Sequence, residues 1–288
     1  MLVKFLFINI AVFLFIRLAA VVSVILGMPT QGIVEWVSMP SNLAVLSHKP
    51  WTVLTYMVSH YDFFHILFNM LWLYWLGGIF LEFFTEKHFA ALYIYGGLGG
   101  ALLYFLIYNT VPVYESVNNT TLLGASASVY AIVVAAALKS PNYPINMLFI
   151  GQISLKWVVL FIIGFDLMTI TDGANIGGHI AHIGGILIGA MFAYALKKGI
   201  DITKPLNTLI DKIVNLFSKR PEMSFKRNIK YKKKNEATPK SGVQNNTSRA
   251  SRTELSEMDA ILEKIKHSGY TALTDEEKEK LFNISKKA

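Results

Sequence analysis

Ser126, in Gly124-Ala125-Ser126-Ala127, and His182, in Ala181-His182-Ile183-Gly184-Gly185, place a hydroxyl and an imidazole among small residues inside long apolar stretches. A serine hydroxyl is a weak nucleophile until an adjacent base takes its proton, and imidazole is the side chain most often used for that step. Acyl transfer also needs donors for the developing oxyanion. Asn69, His65 and the backbone N–H of Ser126 are available for that role. Each group also has a plainer explanation. A serine at a helix start is most often an N-cap, with Thr120 or Thr121 as the alternative cap here. A membrane histidine is often an interhelical hydrogen-bonding group, and Asn69 can be interhelical glue. His179, one turn before His182, is the rival base, with a structural or pore-mouth role as its alternative. His60 reads as an interfacial or loop-organising residue and not a catalytic one. The i, i+3 spacing of His179 and His182 fits zinc, but no HExxH glutamate accompanies it, so a metal site is the less favoured reading. Gly96, Gly97, Gly99 and Gly100 read as a helix-packing surface, because no Lys-Ser/Thr follows them as in a phosphate loop.

The elements that must position these groups are membrane helices. Hydrophobic residues make up 53% of the 288 and charged residues 16%, against roughly 25% charged in soluble domains. A bilayer core needs about 20 mostly apolar residues per helix. Six segments qualify: 5–27, 63–82, 89–109, 121–139, 155–171 and 179–197. The first is too long for a signal-peptide core and is expected to remain as a helix. Arg17 and Asp166 lie within spans, where partner-satisfied structural roles are the default. Of 27 Lys and Arg, 21 lie in 197–288, against 12 acids there; six precede residue 197, against seven acids. Basic charge directly behind a hydrophobic region reads as a membrane-adjacent cytoplasmic tail with affinity for anionic lipid headgroups, not as a nucleic-acid site. Residues 1–198 then form the membrane domain, 199–251 a basic and largely disordered linker, and 252–288 a small helical module. In that module Ser251 with Glu254, and Thr274 with Glu277, read as capping boxes. Leu255, Met258, Leu262 and Ile265 share one face, Gly269 ends the first helix, and Leu281 and Phe282 belong to the second. There is no cysteine, which excludes disulfides and thiol catalysis.

Lys4, the Lys87 turn, the 139–156 loop and the tail fall on one side of the predicted topology. That side is expected to be cytoplasmic, with both termini inside. Spans two, four and six then enter from the outside, which puts His65, Asn69, Ser126 and His182 at one depth in the outer half of the membrane. Small residues recur every four positions in span four (Ala127, Ala131, Ala135) and span six (Ala181, Gly185, Gly189, Ala193), a spacing that lets two helices approach closely in lipid.

These residues resemble the rhomboid intramembrane serine proteases over about 35–197. Pro50-Trp51 with Thr55-Tyr56 is similar to the family's approach to its second span. His60-Tyr-Asp-Phe-Phe-His65-Ile-Leu-Phe-Asn69 resembles its HxxxxHxxxN segment, and Gly77-Gly78 with Glu82 the turn after it. Gly124-Ala125-Ser126-Ala127 with Tyr130 resembles the GxSx nucleophile motif. Ala181-His182-Ile-Gly-Gly185-Ile-Leu-Ile-Gly189 resembles AHxxGxxxG. Singly each is weak; in order and on one side they are specific. The resemblance implies an all-α polytopic fold with a six-transmembrane-helix bundle and a short helical C-terminal appendage, in a bacterial inner membrane. It implies a Ser126–His182 dyad without an acidic third member and with no metal or organic cofactor, an oxyanion site from Asn69, His65 and the Ser126 amide, and Tyr130 stacked on His182. Gly124 and Gly185 support the site. Substrates would be single-span membrane proteins cut near the outer membrane face beside small, helix-loosening residues. Three positions depart from the family's usual pattern: Ala127 where glycine often follows the serine, Thr52 where Arg often follows Trp, and Phe83-Phe84 where a basic residue often follows Glu82.

Two other functions fit parts of this pattern. A non-proteolytic relative would bind membrane proteins without cutting them, and such members commonly lack the serine or histidine present here. A proton-coupled transporter would use the histidines, but the sequence shows neither matching halves nor paired broken helices.

Overall fold

The computed structural model describes residues 1–117, 120–147, 151–170, 175–217, 261, 263–265 and 273–285. Its elements follow the apolar runs. Helix α1 spans Leu2–Ile25. Three short helices, α2 (Gln31–Val37), α3 (Leu43–His48) and α4 (Thr52–Thr55), build the first loop. Then come α5 (Phe63–Phe83), α6 (Glu86–Thr110), α7 (Ser126–Lys139), α8 (Leu155–Thr169), α9 (Ile176–Lys197) and α10 (Lys204–Phe217). Among the described residues four helices, α1, α5, α6 and α9, are long and apolar enough to cross a bilayer, while α7 and α8 are shorter apolar helices of 14 and 15 residues. The chain is an all-α polytopic membrane protein. Among the described residues the strands form two antiparallel pairs: β1 (Met39–Pro40) with β2 (Thr121–Leu122), and β3 (Pro144–Met147) with β4 (Gly151–Ser154).

Five of the six expected spans match these helices to within three residues. The fourth does not begin at 121. Thr121 and Leu122 are held in the β1–β2 pair, and Gly124 has φ +123°, which a right-handed helix does not admit. The helix therefore starts at Ser126. Ser126 is its first helical residue and not a cap, and Thr120 instead meets the Tyr104 hydroxyl at 2.9 Å.

The centre of the bundle is a close-packed trio, α6, α7 and α9. A Cβ added at Gly96 would come 2.5 Å from the Ala131 methyl, one at Gly100 2.6 Å from that of Ala127, and one at Gly184 within 2.7 Å of the Gly99 carbonyl carbon. The small-residue stripes thus join three helices, and the Gly96–Gly100 run of α6 is packing surface. Ala127 is itself fully buried against Gly100 and Gly185. Its methyl faces Gly100 and is accommodated because that residue lacks one. The outer helix α1 leaves Phe7, Phe15 and Leu18 more than half exposed. It turns Asn9 inward to donate to the Tyr93 hydroxyl at 3.0 Å. Arg17 lies 4.9 Å from the Tyr61 ring centre, a cation–π contact.

The first loop is anchored without the Arg expected after Trp51. Trp36 and Trp51 stack with centroids 5.4 Å apart, the Trp51 indole donates to the Trp36 carbonyl, and the buried Thr52 hydroxyl donates to the Lys49 carbonyl at 2.6 Å. Glu82, without a following basic residue, accepts from the Tyr143 hydroxyl at 2.9 Å.

The stretch 199–251 is not linker throughout. Residues 204–217 form α10, because Leu206, Leu209, Ile210, Ile213 and Val214 repeat at helical spacing and share one face. Thr203 and Asp201 brace its start, Asp201 meets His88 at 3.3 Å, and Asp211 pairs with Lys87 at 2.6 Å. The expected linker at 219–250, the Ser251–Glu254 cap, Leu255, Met258, Leu262 and Gly269 lie outside the described residues. The chain divides into two compact units, Met1–Pro221 and Glu222–Ala288. In the second, the helix Asp275–Ser285 opens on a reciprocal capping box. The Glu277 amide donates to Thr274 Oγ1 at 3.3 Å, and the Thr274 amide donates to Glu277 Oε2 at 2.8 Å.

Candidate active site

Helices α5, α7 and α9 all begin at one end of the bundle. Close packing of α7 on α9, with Gly185 and Gly189 against the Ala127 and Ala131 backbone, sets the first turn of α7 beside the second turn of α9. Ser126 Oγ then lies 2.7 Å from His182 Nε2. His182 is nearly buried, and Tyr130, one turn beyond Ser126, lies flat on its ring with centroids 4.6 Å apart and planes 20° from parallel. The other ring nitrogen, Nδ1, is 2.7 Å from Asp166 Oδ1. The same carboxylate oxygen is 2.9 Å from His179 Nδ1. His179 is thus engaged with Asp166, and it is His182 that reaches Ser126.

From sequence alone Asp166 reads only as a partner-satisfied structural residue. A carboxylate within an apolar helix was visible; that α8 turns it towards both histidines is a fact of packing that spacing does not encode. The resemblance implied no acidic third member, yet a carboxylate stands directly behind His182.

The turn before Ser126 is held from the preceding loop. The Gly124 amide donates to the Tyr56 carbonyl at 2.9 Å, and the Ala125 amide to His60 Nε2 at 3.3 Å. His60 is fully buried and meets His65 edge-on at 5.1 Å between centroids, in keeping with a loop-organising role. A Cβ at Gly124 would come within 2.6 Å of the His65 ring, so the missing side chain lets His65 approach the serine turn. Asn69, one turn after His65 on α5, is buried and donates from Nδ2 to the His65 carbonyl at 2.8 Å. A cavity of about 270 Å³ runs along this edge. Ser126, His65 and Asn69 line it at one end, and Phe68, Trp72, Leu76, Val133 and Ile162 give it apolar walls from α5, α7 and α8.

A family model for the Rhomboid domain matches residues 47–199. The chain belongs to the rhomboid family. Every residue of the site lies within the matched rhomboid domain. A second model, a family of unknown function (DUF6576), matches residues 244–287. Similar proteins include RHOMBOID-like protein 12, mitochondrial, of Arabidopsis thaliana, 31% identical over 158 residues covering 51% of this chain and 47% of that protein. Rhomboid protease GlpG of Salmonella paratyphi A is 24% identical over 171 residues, covering 57% of this chain and 54% of that protein. The chain spans about half the length of these curated rhomboid relatives.

Asp166, His179 and His182 also form a trio of metal-ligating types. Donors on one tetrahedral zinc at about 2.0–2.1 Å stand roughly 3.3 Å apart. The contacts of 2.7 and 2.9 Å are hydrogen-bond distances.

Proposed function

We propose that this chain is an intramembrane serine endopeptidase with Ser126 as nucleophile and His182 as its base. The observation that carries the reading is the 2.7 Å contact between Ser126 Oγ and His182 Nε2 at the head of an apolar cavity. In the first step the serine hydroxyl gives its proton to His182 Nε2 while Oγ adds to the scissile carbonyl. The oxyanion that forms is met by the Ser126 amide, free of an intrahelical partner at the first turn of α7, and by Asn69 Nδ2 and the His65 side chain on the facing helix. His182 then protonates the leaving amine and the C–N bond breaks. Water attacks the acyl-serine with His182 again as base, which releases the acid and restores the hydroxyl.

The substrate class follows from the walls. Apolar side chains from α5, α7 and α8 suit a segment that arrives from lipid. A helical segment has its carbonyls occupied by its own hydrogen bonds, so only one locally unwound, beside small or helix-breaking residues, offers a carbonyl to Ser126. Single-span membrane proteins meet both conditions. Helix α7 is about 21 Å long at 1.5 Å per residue, short of a roughly 30 Å hydrocarbon core. With Lys139 at the basic face, Ser126 falls below the opposite surface. Six spans, a cytoplasmic basic face bearing both termini, and residence in a bacterial inner membrane complete the reading. The basic stretch after α9 is drawn to anionic headgroups.

The test is a transmembrane reporter in liposomes with wild type and Ser126→Ala. Cleavage by the wild type and none by the variant is expected. Undiminished cleavage by the variant overturns the proposal. Fluorophosphonate labelling at Ser126, lost in His182→Ala, separates a protease from a relative that only binds.

A further inference from the structure

We infer that Asp166 is a positioning residue that turns the Ser126–His182 pair into a triad. This deepens the protease reading and rests on it.

An ionised carboxylate only accepts hydrogen bonds. With Asp166 Oδ1 at 2.7 Å, His182 Nδ1 must carry the ring proton, which leaves the Nε2 lone pair facing the Ser126 hydroxyl, also at 2.7 Å. That is the tautomer a base needs, and the carboxylate selects it. His179 supplies the second donor to the same oxygen at 2.9 Å, from one turn earlier on α9, with its ring edge-on to His182. Tyr130 stacks on His182 and fixes the plane of its ring. Asp166 is therefore held by both histidines in the orientation that aims His182. His179 becomes its holder and not a second base.

Charge supports the same assignment. When His182 takes the serine proton, an imidazolium forms in a nearly buried site flanked by apolar helices. Water solvates it poorly, and a carboxylate in direct contact offsets the charge as it appears. The surroundings of Asp166 underline the point. Phe161, Phe165, Leu167 and Met168 on α8 are each about half exposed or more, while Asp166 is 7% exposed. A lone carboxylate in such a helix is costly and persists where it has a paired function.

The variants are Asp166→Asn, which keeps shape and loses charge, and His179→Ala, with Ser126→Ala as reference, each in liposomes with a transmembrane reporter. For Asp166→Asn, kcat is expected to fall about 10²–10⁴-fold, as when a triad carboxylate is neutralised, with KM changed less than about threefold. Fluorophosphonate labelling of Ser126 should slow in parallel. His179→Ala should cost less than about tenfold. Wild-type turnover and labelling in Asp166→Asn, with Ser126→Ala inactive, overturns the triad and leaves the protease intact. Cleavage by Ser126→Ala overturns the protease reading itself. If Asp166→Asn fails to fold, nitrogen-15 NMR of His182 in the wild-type protein decides. Protonation at Nδ1 supports the triad, and a predominant Nε2–H tautomer refutes it.

Discussion

At Gly124 the backbone adopts φ +123°, a region closed to most side chains, and the His65 ring occupies the space where a Cβ would stand. Gly124→Ala is therefore expected to cost stability of about 1–3 kcal/mol and to push His65 away from the serine turn. Thermal melting in detergent and the rate of fluorophosphonate labelling read the two effects separately. Asn69→Ala removes one oxyanion donor and should lower kcat about 10²–10³-fold with little change in KM, measured on the reporter. Ala127→Gly should leave turnover within about threefold, because Gly100 already makes room for the methyl and its loss costs chiefly about 1 kcal/mol of helix propensity. At this scale Ser126, His182, His65 and Asn69 were legible because polar groups stand out in apolar runs and share one predicted side. Asp166 stood out equally but had no legible partner, since the rotation of α8 about its axis is set by packing.

Among the elements, α9 packs closely on α7. A Cβ at Gly185 would run into the Ala127 carbonyl oxygen, so Gly185→Ala forces α9 outward. The expected cost is about 1–3 kcal/mol in melting and a loss of roughly 10²-fold in turnover as His182 is displaced from Ser126. The sequence announced this packing through its four-residue stripes. It did not announce that α6 would be the third member, because a run such as Gly96–Gly100 offers several faces at once. The start of α7 was misread for a related reason: Thr121 and Leu122 look apolar-helical until Met39 and Pro40 pair with them across 82 residues of chain. Helix α10 was hidden by averaging, since the basic composition of the whole tail masks five apolar residues at helical spacing. Its connection to α9 carries a pH dependence. Partial desolvation pushes the Asp201 carboxyl up, but hydrogen bonds from the Thr203 hydroxyl and amide and from His88 outweigh it, and the group sits below its ordinary value of 3.8. That stabilisation is present above about pH 4 and is lost as pH falls through the lower folded value. Proteolysis at the α9–α10 connection should rise there, and Asp201→Asn should show the raised sensitivity already at neutral pH.

For the whole molecule, charge and chemistry sit at opposite ends of the bundle. The amino terminus pairs with Glu86, Lys87 with Asp211, and His88 with Asp201, all at the end away from Ser126. The sidedness of the basic loops was readable from sequence because it depends only on which helix ends carry them. The unit Glu222–Ala288 has its own internal contacts, and its capping box was readable as a local four-residue pattern. A chain ending at Pro221 is expected to keep the melting temperature and Ser126 labelling of the full chain. A fall of more than a few degrees would mean the second unit is needed to hold the membrane bundle together.

Trp72, on the wall of the apolar cavity, lies 20° from parallel with Trp75 at 6.0 Å between ring centres. Two indoles so close share their excited states, so the pair should give its own ultraviolet circular dichroism and quenched emission. A guest that shifts Trp72 would alter both signals, which makes the protein its own optical gauge of occupancy before any bond is cut.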